Sequence, residues 1–251
     1  MTTFPYCGPP PTPEVLLRSW NFDPWLISAL IALAASGTVV LACDPERRGK
    51  PVCFGLALAA LIIAFVSPLC ALSSALFSAR VAHHLLMISV AAPLLAAAFP
   101  APGPAAGRRL VSLVGLQMVA VGLWHAPTLY AAALGSSLLY WVMETTLLAT
   151  AVLAWRDLLR RETLPLAAGF AHLAVIALMG LLGALITFAP VPLYAPHALT
   201  TGSFGLSAIE DQQLAGLLMW VPAILPNLLA GIASLCGLLE ERHLSGRPLR
   251  A

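Results

Sequence analysis

The cations of this chain fall in every second gap between its apolar runs. Seven runs, at about 24–43, 51–70, 80–99, 110–131, 136–155, 165–189 and 212–238, are each long enough to cross a bilayer as a helix. Of the thirteen Lys and Arg, eleven follow runs one, three, five and seven: Arg47, Arg48 and Lys50; Arg108 and Arg109; Arg156, Arg160 and Arg161; Arg242, Arg247 and Arg250. Only Arg18 and Arg80 fall elsewhere. Cationic loops are retained on the cytoplasmic side of a membrane, so this alternation orients the chain. It predicts an all-α, polytopic membrane protein: a seven-transmembrane-helix bundle with its N-terminus outside and its C-terminus cytoplasmic. Residues 1–23 then form a periplasmic segment, 24–238 the membrane domain and 239–251 a cytoplasmic tail.

Composition agrees. The chain is 60% apolar and 10% charged, against about 25% charged in soluble domains. No basic and aromatic stretch points to nucleic acid. No basic start precedes an apolar run, so no signal peptide is expected. No Cys-x-x-Cys occurs among the five cysteines. Cys7 and Cys70 both fall outside, where a disulfide is permitted, though nothing in the sequence brings them together. Small-residue pairs such as Gly55/Ala59 and Gly180/Ala184 offer a weak signal for close helix contact. Pro93, Pro222 and Pro226 lie inside runs and are expected to bend them. Asn227 is expected to hydrogen-bond carbonyls freed by those prolines. The proline-broken gap at 190–211 is either a cap over the outer mouth or a loose loop.

Orientation decides which polar residues meet. His83 and His84 start the third span from outside. Trp124 and His125 lie near the outer end of the fourth. Glu144 lies in the fifth, roughly 12 Å below the outer surface at 1.5 Å per residue, and the seventh opens with Glu210, Asp211, Gln212 and Gln213. Four spans thus bring ionisable groups to one leaflet, and such groups normally face a bundle interior. Imidazole with carboxylate suits a divalent metal, and imidazole with thioether suits Cu(I). Met87 is spaced to share a helix face with His83 and His84. His83, His84, Met87, His125, Glu144 and Asp211 are therefore the candidate metal ligands, with His84 and His125 foremost. Plainer readings stand beside this one. Trp124 and His125 suit an aromatic belt, and Glu210–Gln213 suits a helix N-cap. Glu144 needs a partner, for which Arg80 is placed. His172 reads as structural, and His197 as a solvated loop residue.

Three segments carry a resemblance: His84-Leu85-Leu86-Met87 followed by Ala92-Pro93-Leu94-Leu95; Leu123-Trp124-His125-Ala126-Pro127 with Tyr130; and Asp211-Gln212-Gln213-Leu214-Ala215-Gly216 with Trp220-Val221-Pro222. In this order they resemble the CtaG family, multi-span bacterial assembly factors of cytochrome c oxidase. The resemblance covers spans three to seven. It implies a non-enzymatic role in maturing haem-copper oxidases: handling Cu(I) for subunit I, alongside other copper chaperones, through His84, His125 and Asp211. Two positions depart from the family pattern. Arg80 stands where members often carry His, and Thr145 follows Glu144 where His is common. Two alternatives remain open at this point. One is a b-type haem protein, with paired axial histidines, or a quinone-linked electron carrier; the other is a copper or proton transporter lined by Glu144 and the bent seventh span. No catalytic motif is present.

Overall fold

The computed structural model describes residues 5–43, 50–100, 107–160 and 163–245, without the side chains of 107–108 and 238–245. Arg47, Arg48, Arg161, Arg247 and Arg250, and the side chains of Arg108 and Arg242, lie outside the described residues. Every regular element described is helical. A short α1 (Pro13–Leu16) precedes the first apolar run, which forms α2 (Pro24–Cys43). The second run forms α3 (Pro51–Phe65) and α4 (Pro68–Ala75). The third forms α5 (Phe77–Leu85), a π-helical turn over Leu86–Ala91 and α6 (Ala92–Ala98). The fourth forms α7 (Gly107–Trp124) and α8 (Pro127–Leu134), the fifth α9 (Ser137–Leu158) and the sixth α10 (Pro165–Thr187). The seventh forms α11 (Ala208–Trp220) and α12 (Ile224–Ser245). Several of these helices begin at Pro, whose missing N–H costs nothing in the first turn and whose φ is already helical.

Five stretches are long and apolar enough to cross a membrane: Pro24–Cys43, Phe77–Ala98, Ser137–Leu158, Pro165–Thr187 and Ala208–Gly237. Two further pairs qualify only as bent units, α3 with α4 at 46° and α7 with α8 at 74°. The molecule therefore has five to seven candidate spans. Each bend has a local cause. Ser67 caps α4, its side chain accepting from Leu69 N at 3.2 Å, and Pro68 follows. Pro127 forces Ala126 into extended backbone (ψ 123°), so α7 stops and α8 sets off in a new direction. Pro93 acts differently from the expected bend. The turn before it widens, with Ala92 N–H reaching back five residues to Met87 O, and the helix continues.

The helices pack through small residues. At Gly216 an added Cβ would stand 2.6 Å from Gly183 O, and would also strike Thr187 Oγ1; at Gly183 it would stand 2.8 Å from Gly216 O. Gly183 and Gly216 thus hold α10 against α11 at backbone distance. The pairs singled out from spacing do not: Gly55 faces open space, and Gly180 meets Trp220 at 3.5 Å. Spacing in an Ala-rich chain cannot say which face meets a neighbour. Asn227 Oδ1 accepts from His172 Nδ1 at 3.0 Å, a partner that the sequence did not point to.

The two ends of the bundle differ. At one end Cys7 and Cys70 form a disulfide that ties the N-terminal segment to α4. Closing a loop of 63 residues stabilises by up to about 4 kcal/mol in the chain-entropy account. At the other end Arg109 Nε and Arg160 Nε each lie 3.1 Å from the fully buried Asp157. Two of the cations in the alternating gaps are thus pinned by a carboxylate.

Candidate metal centre

The centre begins with a capped helix. Leu76 is extended (φ −124°, ψ 133°), and α5 opens at Phe77 with no side-chain cap of its own. The cap comes from another helix. Asp211, in the first turn of α11, accepts from Phe77 N at 2.7 Å and Ser78 N at 3.1 Å, and also from Ser78 Oγ. A carboxylate at a helix N-terminus satisfies orphan donors and complements the dipole. α11 is itself started by a capping box between Ser207 and Glu210. Gln212 fastens the chain entering the outer loop, accepting from Leu193 N at 2.6 Å and donating to Ile186 O and Val191 O. The Asp-Gln-Gln segment is therefore structural in its geometry. Asp211, expected among the metal donors, has both oxygens engaged at the start of α5, and the metal-suited group among the described residues does not include it.

What this cap positions is one face of the third span. Arg80, His83, His84 and Met87 follow the i, i+3, i+4, i+7 spacing that keeps residues on one side of a helix. All four are buried. Facing them is Glu144 of α9, 1% exposed. Arg80 Nη1 donates to Glu144 Oε1 at 3.1 Å, the partnership that Glu144 required. His84 Nε2 lies 3.4 Å from the same oxygen, and His83 Nδ1 3.8 Å from Oε2. One ligand atom from each of His83, His84 and Glu144 falls within 4.8 Å of the others, the group among the described residues suited to a metal ion. Arg80 also sits over the Tyr140 ring, 5.2 Å from its centroid.

His125 stands beside this group. It occupies the break between α7 and α8, where the helix has ended but its last carbonyls still need donors. Its Nδ1 donates to Val121 O at 2.8 Å, which leaves Nε2 as the free lone pair. Its ring lies 5.7 Å from that of His84, edge to face. Neither His125 nor Trp124 belongs to an aromatic belt. Both are buried, and Trp124 Nε1 donates to Thr146 Oγ1 of α9 at 2.9 Å. Met87, one turn beyond His83, shares a cleft wall with Glu144.

The outer loop is a cap. Tyr194 OH donates to His125 O at 2.8 Å, and its ring stacks on Phe77 with centroids 3.5 Å apart. Thr200 Oγ1 donates to Ala75 O at 2.6 Å. Gly205 takes the left-handed conformation (φ 74°) that returns the chain to α11. His197 is not solvated: it is 2% exposed, and its Nε2 shares a 2.6 Å hydrogen bond with Tyr130 OH. Burial, helped by the Arg80 charge, lowers its pKa to about 4. His172, as expected, stands away from the cluster, held by Asn227 and packed on Trp155 with ring centroids 5.5 Å apart.

Arg80 is the residue that sequence reasoning placed only as a partner and that the structure puts inside the centre. Its signal was present: it is one of two cations that break the alternation, and an ionisable residue within a span is a functional mark by default. Tyr140 and Tyr194 had no such signal, and Tyr130 entered only through the resemblance; loop and helix packing brings all three there.

The family model for cytochrome c oxidase caa3 assembly factors (Caa3_CtaG) matches residues 29–241. Comparison with curated proteins gives no match, and comparison with solved structures gives none. The matched range takes in the helices that build the centre and reaches back into the first apolar run, beyond the third-to-seventh spans on which the sequence resemblance rested. With 29–241 of its 251 residues matched, the chain belongs to the cytochrome c oxidase caa3 assembly factor family, CtaG.

Proposed function

We infer that this assembly factor handles Cu(I) as cargo for subunit I of a haem-copper oxidase, without catalysing a reaction of its own. The reading takes the chain as seven spans in a bacterial inner membrane, N-terminus outside, with 1–23 periplasmic, 24–238 in the membrane and 239–251 cytoplasmic. The centre then faces the periplasmic leaflet. The observation that carries it is the buried His83–His84–Glu144 group with the His125 ring beside it.

The donor set suits the cargo. His84 Nε2 and His83 Nδ1 face Glu144 at 3.4 and 3.8 Å, and none of the four buried ring nitrogens of His83 and His84 makes a well-formed hydrogen bond. Unpaired buried polar atoms are costly, and a soft cation would satisfy them. Arg80 offsets the charge of Glu144, so the remaining donors are imidazole nitrogens with a thioether nearby. A site of that kind accepts a monovalent ion at less electrostatic cost than a divalent one. Cargo must also leave, which favours two or three donors over a closed cage. Asp211 supports this centre from outside by fixing the start of α5. The receiving partner is subunit I, and other copper chaperones would supply the ion.

The test is copper per protein under reducing conditions, with oxidase activity in cells, for His84→Ala with His125→Ala. Both values are expected to fall at least about tenfold, the scale on which ligand loss acts on metal affinity. Unchanged values for both would remove the copper reading. The absorption spectrum of the same sample addresses the haem alternative through a Soret band, and copper uptake into proteoliposomes addresses transport.

A further inference from the structure

The N-terminal segment reaches the metal centre through packed rings. Gly8 N–H donates to Pro5 O at 2.9 Å, and Gly8 takes the left-handed conformation (φ 89°), so residues 5–8 close into a tight turn. Three ties hold that turn on the bundle. Cys7 is bonded to Cys70 of α4. Tyr6 OH donates to Asp23 Oδ2 at 2.7 Å. The Tyr6 ring stacks on Tyr140, centroids 5.0 Å apart, and meets Trp141 edge to face at 4.9 Å. None of these ties is to a metal donor.

Tyr140 and Trp141 stand one turn before Glu144 on α9, and each leads to a different part of the centre. Tyr140 carries Arg80 over its ring, and its hydroxyl lies 3.4 Å from Cys7 Sγ. Arg80 in turn holds Glu144 Oε1. Trp141 stacks on Phe65 with centroids 5.5 Å apart, and Phe65 meets the His83 ring at 4.9 Å, nearly perpendicular. Tyr140, Phe65, Arg80 and His83 are all buried, and close-packed interiors pass displacement from one side chain to the next. The turn therefore backs the carboxylate by one route and an imidazole by another. Tyr6 and Cys7 lie outside the matched range 29–241, so the family match does not bring this arrangement with it. We propose that the turn clasped by Cys7–Cys70 is a positioning element of the centre: it fixes Tyr140 and Trp141, through them the Arg80–Glu144 pair and the His83 ring, and so raises the affinity for Cu(I). The positioning rests on these contacts alone; the ion rests on the copper reading above.

The experiment compares the full-length chain in nanodiscs with Cys7→Ala/Cys70→Ala, Tyr6→Ala and Tyr6→Phe. One readout is Cu(I) affinity by competition with bicinchoninate, with ascorbate keeping the ion reduced and the disulfide intact. The other needs no copper: the ring ¹⁵N signals of the histidines in metal-free protein, with His83 assigned through His83→Gln. Opening the clasp or removing the Tyr6 ring is expected to weaken Cu(I) binding at least about tenfold, the scale on which residues behind metal ligands act. The His83 signals should move, those of His172 should stay, and helix content by circular dichroism should be unchanged. Tyr6→Phe keeps the ring stack and should bind like wild type. His83 signals unmoved in both the cysteine variant and Tyr6→Ala would overturn the proposal and leave the copper reading standing. So would wild-type Cu(I) affinity in both. Moved His83 signals in a chain that takes no Cu(I) even as wild type would sustain the positioning while the copper reading falls.

Discussion

Asp211→Asn separates a metal donor from a helix cap. The carboxylate accepts from Phe77 N at 2.7 Å, from Ser78 N at 3.1 Å and from Ser78 Oγ. An amide has one oxygen, so one backbone N–H of α5 must lose its acceptor and face an NH₂ instead. A hydrogen bond to a charged partner contributes about 1.5–3 kcal/mol, and a buried orphan donor costs in the same range. The charge at the helix N-terminus adds up to about 2 kcal/mol in a buried setting. These contributions overlap, and a net loss of about 3 kcal/mol is expected. For a chain of this size each kcal/mol lowers Tm by roughly 2–4 °C, so Tm in detergent should fall by about 6–12 °C. Copper per protein, measured below the new Tm, should stay above half the wild-type value, because the Asp211 oxygens are committed to the start of α5. A Tm within about 2 °C of wild type, with copper lost, would refute the cap and return Asp211 to the ligand set.

Other perturbations probe the remaining contacts. Arg80→Met leaves Glu144 buried without its cation and is expected to destabilise by about 3–5 kcal/mol, and adding Glu144→Gln should recover part of that loss; thermal unfolding of the two single variants and the double variant measures the coupling, and additivity would refute it. Gly216→Ala forces a Cβ against Gly183 O and Thr187 and is expected to cost at least about 1–3 kcal/mol, whereas Gly55→Ala, facing open space, should leave Tm unchanged or slightly raised. The outer loop should loosen in acid. The pKa of His197 is about 4 in the folded chain, below the roughly 6.5 of an unfolded histidine. The folded form is thus unpenalised above pH 6.5, and stability is lost as pH falls from about 6.5 toward 4, by up to about 3 kcal/mol. Hydrogen exchange over 190–206 should rise through that window in wild type, and the rise should shrink in His197→Gln.

The sequence by itself determined the apolar runs, their helical state, their order and the clustering of the candidate residues at one end. Apolar runs of span length and alternating cations are local and additive signals, and each survives any packing the chain adopts. The spacing of Arg80, His83, His84 and Met87 was equally local, since one helix face follows from period alone. What the tertiary structure decided is who meets whom. Asp211 became a cap because α11 ends up beside the start of α5, and His197 became buried because the loop folds inward over Tyr130. Cys7 and Cys70 pair, and Gly183 and Gly216 touch, for the same reason. A cap, a disulfide and a close backbone approach all require two distant segments at a few ångströms, and no pattern within either segment encodes that distance.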